Sequence, residues 1–279
     1  SIDTNSPTVQ SGKKIMWKGN LTATRIQGVG KFSSTGRFNV EGNIMSLLFG
    51  DNFVGKTDLT GFGYIFSGLF EGNTNLVSAE KLVLPATTLA QMCYNCMFYG
   101  CTSLTAVPSL PATTLARYCY NLMFEDCTSL TTLPSNYLPV TTLIEGCYSQ
   151  MFIGCTSLTA VPELPATTLV EKCYYGMFDN CTSLKTPPKL PATTLANRCY
   201  NLMFSRCTSL TTVPELPATT LAPGCYIQMF RWCYALTTVP SNYLPATTLA
   251  EQCYEGMFEF CTGLTVTPVL PATTLAEGC

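Results

Sequence analysis

From Leu84 onward the apolar residues follow one order: Leu-Pro-Ala-Thr-Thr-Leu-Ala, a Cys-Tyr pair, a Met-Phe pair, a Cys, then Leu and Pro. The order is written seven times in full and an eighth time as far as Cys279. Units open at Leu84, Leu110, Leu138, Leu164, Leu190, Leu216, Leu244 and Leu270. Five of the seven steps are 26 residues, and the two 28-residue steps each carry an inserted Asn-Tyr, at Asn136-Tyr137 and Asn242-Tyr243. A fixed period of this size predicts a stacked solenoid, in which each unit buries its apolar side against its neighbours. Insertions confined to one point of the unit mark a loop.

Within the unit that opens at Leu84, Cys93, Met97 and Cys101 are four residues apart, with Tyr94 and Phe98 one place along. This is the spacing of an apolar helical face, and it predicts a helix of about three turns over Ala90 to Cys101. Positions 91, 92, 95, 96, 99 and 100 change freely between copies and are assigned to the opposite, solvated face. The following CTSLTAVPSL carries Leu104, Val107 and Leu110 and reads as a parallel strand of four or five residues, which Pro108 ends because it has no N–H. Thr113, Thr114 and Leu115 form a second short extended piece. The expected class is therefore α/β: a leucine-rich-repeat-like solenoid with one short strand and one short helix per unit.

The remainder of the chain divides into two segments. Residues 58–83 hold a degraded copy, since Ile65 to Leu76 aligns with Cys93 to Leu104; Ile65 replaces Cys93, Leu69-Phe70 replaces Met97-Phe98 and Asn73 replaces Cys101. Residues 1–57 are read as a tail and a β-rich cap, with two strands around Gly36 and Gly42 covering the first unit. Residues 84–279 are the seven repeats and the partial eighth. Because the chain begins at Ser1 with no apolar leader, any signal peptide is expected to have been removed, and the half-finished unit at Cys279 is expected to continue into further chain or to template another copy.

Composition narrows the function classes. Hydrophobic residues make up 47% and charged residues 11%, which suits a folded repeat domain with a core. The net charge is −2, and no basic stripe points to nucleic acid. Apolar stretches such as Tyr64 to Phe70 are too short and Gly-broken to span a membrane. Gly50 to Thr57 reads GDNFVGKT, a complete GxxxxGKT match, but Gly61 and Gly63 interrupt the helix that a phosphate cradle needs, so the segment is read as turns in the cap. There is no His, and the Ser and Thr recur in nearly every unit, whereas a catalytic site is singular. No enzyme activity and no cofactor are expected. Asn20-Leu21-Thr22 and Asn180-Cys181-Thr182 match the glycosylation sequon, a pattern short enough to arise by chance.

The motif LAxxCYxxMFxxCTSLTxxP resembles the Bacteroides surface protein A-like (BspA-like) leucine-rich repeats, with their apolar residue, Ala-Phe pair, Cys and LxxIxIP, and is also similar to the MFxxCxSL repeats of related bacterial surface proteins. The resemblance covers Ile65 to Cys279. This chain departs from it in a unit longer by about one helical turn and in a second Cys per unit. The resemblance implies a secreted or outer-surface bacterial protein that adheres to host proteins, matrix or other cells, and it supplies no catalytic residues.

Sixteen cysteines fall on two positions of the unit. One series is Cys93, Cys119, Cys147, Cys173, Cys199, Cys225, Cys253 and Cys279; the other is Cys101, Cys127, Cys155, Cys181, Cys207, Cys233 and Cys261; Cys96 is extra. Packing as small buried hydrophobes is the favoured reading, because the two series are about 12 Å apart along a helix and equivalent Cys point inward. A series of disulfide staples is the alternative. Zinc has little support, since only Cys93 and Cys96 have paired spacing.

Two surfaces are candidates for a partner. The position after each strand Leu reads Thr105, Thr131, Thr159, Lys185, Thr211, Thr237 and Thr265, which predicts a hydroxyl-rich face. The helix-end slots read Tyr99-Gly100, Glu125-Asp126, Ile153-Gly154, Asp179-Asn180, Ser205-Arg206, Arg231-Trp232 and Glu259-Phe260. Arg231, Trp232 and Phe260, with Arg206 and Tyr99 in equivalent slots, are the candidate ligand-binding residues, because aromatics and Arg are enriched at interface centres. The expected function is non-enzymatic adhesion to a protein or glycan at a cell surface. The alternative is a self-assembling structural component that associates through its repeat ends.

Overall fold

The computed structural model describes residues 12–14, 16, 18–19 and 30–279. The expected tail over residues 1–11 and the sequon at Asn20 lie outside the described residues. Strand β1 (Phe38–Asn43) pairs in parallel with β2 (Leu76–Val83), and a four-residue helix α1 (Ser46–Phe49) and a 3-10 turn (Gly50–Asn52) follow β1. Leu76, Ala79 and Leu82 of β2 are buried three residues apart, and the pairing with β1 slips twice, so that β2 spends two more residues than its partner. Among the described residues the cap therefore supplies one strand and a short helix where two strands were expected.

Among the described residues the repeats contain no α-helix, which corrects both the predicted helix and the α/β class. Ala90 to Cys101 is a ribbon of consecutive turns. The N–H groups of Cys93, Asn95, Met97, Tyr99 and Cys101 donate to the carbonyl three residues back. Those of Met92, Tyr94, Cys96, Phe98 and Gly100 donate instead to Arg117, Cys119, Asn121, Met123 and Glu125 of the next unit, at 2.8–3.0 Å. Every fourth residue has positive φ: Met92 at 52°, Cys96 at 53° and Gly100 at 68°. The geometry is that of β-turns closed on a left-handed third residue, alternating with turns that lack one. An α-helix would satisfy these N–H groups internally. Here half of them tie one unit to the next.

The stacking explains why helices are excluded. Phe70, Phe98, Phe124, Phe152, Phe178, Phe204, Phe230 and Phe258 form one file of parallel rings with centroids 5.3–5.9 Å apart. A second file runs from Phe66 and Tyr94 to Tyr254, at 5.7–6.0 Å. Packed helices keep their axes about 8–10 Å apart, which would pull equivalent rings out of this contact. A ribbon one backbone thick lets them meet. Its four-residue period also turns the pairs 93–94 and 97–98 inward, which is why the sequence imitates a helical face.

The expected strand of four or five residues shrinks to isolated parallel bridges. They occur at Ser78↔Ala106, Thr132↔Ala160 and Thr238↔Val266, and at the other corner at Thr88↔Thr114, Thr168↔Thr194 and Thr220↔Thr248. A Pro two residues beyond each first bridge, as at Pro108, removes the N–H that pairing would need to continue.

At the first unit, Ile65 to Leu76 stacks on Cys93 to Leu104 through Phe66 N–H to Cys93 O and Phe70 N–H to Met97 O. Phe32 of the cap lies on the far face of Phe70, 5.6 Å away, in the place of a preceding unit's Phe. The inserted Asn-Tyr pairs do sit in loops, but each Tyr folds back inside: Tyr137 donates its hydroxyl to Pro108 O at 2.9 Å, and Tyr243 tilts against Phe230 and Phe258.

Candidate functional site

Because each unit stacks in register on the last, equivalent variable slots form columns along the turn ribbon. The slots 99–100 through 259–260 are one such column. Their order is visible in the contacts: an added Cβ on Gly100 would lie 3.5 Å from Gly72, and one on Gly154 would meet the Asp126 carboxylate. Positions 92, 95, 96, 99 and 100 are half-buried and only Gln91 is exposed, which corrects the fully solvated face expected for them. Column neighbours shield one another.

Four of the five candidate residues meet in this column. Trp232 and Phe260 stack with centroids 5.6 Å apart and an interplanar angle of 8°. The Arg231 guanidinium lies 3.8 Å from the centre of the Trp232 ring and 5.4 Å from that of Phe260, and Arg206 lies 4.7 Å from Trp232 on the preceding unit. Such contacts are worth about 0.5–1 kcal/mol each where they are exposed. Arg206 Nη1 donates to both carboxylate oxygens of Asp179, at 3.1 and 3.2 Å. Arg231 Nε is 2.7 Å from Glu259 Oε2 but out of line for a hydrogen bond. Asp179 is only 4% exposed, and its burial raises its carboxyl against the opposing pull of Arg206. The cluster is thus held in place from beneath while Phe260 remains 50% exposed.

Tyr99 does not join this group. It stands several units away, where Glu125 and Asp126 push its phenol upward. Those two carboxylates form a second feature that the choice of candidates passed over. Partial burial, reinforced by Asp126, raises Glu125 to about 7, and burial raises Asp126 as well. Asp179 and Glu259, which orient the two arginines, were also missed. Their signal was present as acidic residues one unit away from each Arg in the same slots.

The cysteines are all free. Both series are buried except for Cys279, which like Cys96 is half-buried. The second series caps the phenylalanine file. The thiols of Cys101, Cys127, Cys155, Cys181, Cys207, Cys233 and Cys261 donate to the carbonyls of Phe70, Phe98, Phe124, Phe152, Phe178, Phe204 and Phe230, at 3.0–3.3 Å. Asn73, which replaces Cys in the degraded unit, donates to Phe32 O at 3.2 Å and fills the same role. Disulfide pairing would remove these donors. Burial pushes Cys93, Cys101, Cys147 and Cys199 up to about 12 and Cys96 to about 11. By exposure, the native protein is expected to present two thiols to a maleimide, Cys279 and, more slowly because its thiol is raised, Cys96, and to release all sixteen when denatured without reductant. Mass spectrometry of the adducts counts them, and few adducts on the denatured chain would establish disulfides. Among the described residues no three His, Cys, Asp or Glu side chains group as metal ligands would.

The threonine face is less free than its sequence suggests. Thr105, Thr159, Thr211 and Thr265 spend their hydroxyls on the carbonyls of Val77, Thr131, Lys185 and Thr237, at 3.1–3.2 Å. In the GxxxxGKT segment, Gly50 and Gly55 take positive φ, Lys56 lies over the Phe49 ring and Lys18 pairs with Asp51. No helix opens at Lys56, so the segment is a pair of turns. Asn180 of the second sequon lies half-buried in the column. No helix among the described residues is long and apolar enough to cross a membrane.

Neither a family model nor a curated protein matches this chain. Among solved structures, it is similar to the T. pallidum leucine-rich repeat protein TpLRR, with 20% identity over 63% of this chain and 71% of that one and a TM-score of 0.36. It is also similar to a leucine-rich repeat protein from Bacteroides ovatus, with 19% identity over 61% of this chain and 50% of that one and a TM-score of 0.27. Both neighbours are bacterial leucine-rich repeat proteins, but likeness at this level carries no weight here. The solenoid rests on the chain's own inter-unit hydrogen bonds and ring files.

Proposed function

We propose that the chain is a non-enzymatic binding module of a bacterial cell surface, which uses an invariant solenoid to display a variable turn column to a partner. The BspA-like resemblance of its repeat motif supports the setting. One observation carries the reading. The interior positions are repeated almost without change, whereas the column slots vary and bring Arg206, Arg231, Trp232 and Phe260 into one half-exposed cluster. Large aromatic and Arg side chains held rigid at a surface are what interface centres use.

The test is to replace Arg231 and Trp232 by Ala and to screen the intact chain against immobilised host matrix proteins, cell-surface glycans and the protein itself. Binding is expected to fall at least about tenfold while the melting temperature stays within a few degrees, since surface changes are usually worth less than about 0.5 kcal/mol and loss of the stacked contacts adds modestly to that. Unchanged affinity would remove the column from the function.

A further inference from the structure

The column is polarised along the solenoid, and its order matches its own reverse. At one end Glu125 and Asp126 stand beside Tyr99 and, among the described residues, no Lys or Arg forms an ion pair with either. Two half-buried carboxylates held side by side without a counter-charge are unfavourable in the isolated chain. At the other end are Arg206, Arg231, Trp232 and Phe260, with Glu259 beside Arg231 as the one half-exposed carboxylate among them, since Asp179 is buried. Between the ends lies the slot Asp179-Asn180, two units from Glu125-Asp126 and two from Arg231-Trp232.

From this symmetry we infer that the partner of the column is a second copy of this chain, laid antiparallel about a two-fold axis through Asn180. Such a pairing sets Glu125 and Asp126 of each copy against Arg231 and Trp232 of the other. It sets Tyr99 against Phe260, aromatic on aromatic. It brings the Ile153 side chain to the Arg206 stem, where an alkyl chain can cover it. At the axis Asn180 meets Asn180, a self-complementary amide pair, while Asp179 is turned inward onto Arg206 and offers no repulsion. A parallel arrangement would place Glu125 on Glu125 and Arg231 on Arg231. Only the antiparallel one is complementary, and an isologous two-fold contact is the commonest way for identical chains to associate. Copies on neighbouring cells could meet in this way, so adhesion would be homophilic. The inference rests on the reading that the column is the binding face.

Sedimentation velocity of the intact chain over a dilution series tests it. The wild type is expected to form a dimer that weakens as salt is raised, since the screening length falls from about 8 Å at 0.15 M to about 3 Å at 1 M. Glu125→Lys with Asp126→Lys is expected to raise the dissociation constant at least about tenfold, because like charges then face each other. Arg231→Glu with Glu259→Arg keeps the ion pair within the chain while reversing the charge at position 231, and it too is expected to leave a monomer. An equimolar mixture of the two variants should recover a dimer. A wild type that stays monomeric at low salt, a dimer that survives in either variant, or a mixture that stays monomeric would each overturn the inference. If the chain is monomeric yet Arg231→Ala with Trp232→Ala still abolishes capture by a host protein or glycan, the homophilic partner fails and the column remains the binding face.

Discussion

Phe152→Ala is expected to destabilise the protein by about 3–5 kcal/mol, the range for deleting a fully buried Phe. Phe152 is 0% exposed and lies between Phe124 at 5.6 Å and Phe178 at 5.8 Å, with both ring pairs within 5° of parallel. Removing it opens a cavity in the ring file and deletes two stacked contacts worth about 0.5–1.5 kcal/mol each beyond their burial. The position matters as much as the residue. A solenoid unit touches only its neighbours, so a weakened central unit uncouples the two halves of the stack. Urea denaturation should show a lower midpoint and, if the halves separate, two transitions where the wild type has one. Phe152→Leu keeps most of the volume and is expected to cost under about 2 kcal/mol. A loss below about 1 kcal/mol for the Ala variant would mean that the ring file does not hold the stack together.

Much of this architecture was legible in the sequence, and the failures have identifiable physical causes. The period, the inward Cys-Tyr and Met-Phe pairs, the degraded unit at Ile65 to Leu76 and the variable column could all be read from spacing. The backbone joining them could not, because a turn ribbon with a period of four and a helix of 3.6 residues per turn bury the same pairs over so short a stretch. The distinguishing signal lay in the slots read as solvated. Gly recurs there at three places of the unit spaced four residues apart: Gly146 and Gly224 at the first, Gly176 and Gly256 at the second, Gly100 and Gly154 at the third, all with positive φ. Glycine at such spacing weakens a helix but suits a left-handed turn position. The replacement of Cys101 by Asn73 carried a second signal: both are donors, and both cap the carbonyl of the preceding Phe. The inward return of Tyr137 had no counterpart in the pattern, since an insertion reads as a loop whether or not one of its side chains comes back to the core. In the candidate site, spacing placed Arg206, Arg231, Trp232 and Phe260 in one column, while the carboxylates that orient the arginines became evident only in three dimensions.

The central claim is that each unit is a ribbon of turns whose every fourth residue is left-handed and whose alternate N–H groups bind the next unit. Glycine substitution at left-handed positions distinguishes this ribbon from a helix by sign. Cys96, Lys172 and Arg198 have φ of 53° and are at least partly exposed. A non-glycine residue in the left-handed region costs roughly 1–2 kcal/mol, part of which glycine returns as extra freedom of the unfolded chain. Combining Cys96→Gly, Lys172→Gly and Arg198→Gly is therefore expected to stabilise the protein by about 1–3 kcal/mol. In a helix the same three glycines would each cost roughly 0.5–1 kcal/mol. The deciding measurement is the urea midpoint of this triple variant against wild type at constant m-value. The account predicts a rise; a fall of about 2 kcal/mol in stability would contradict it and restore the helix.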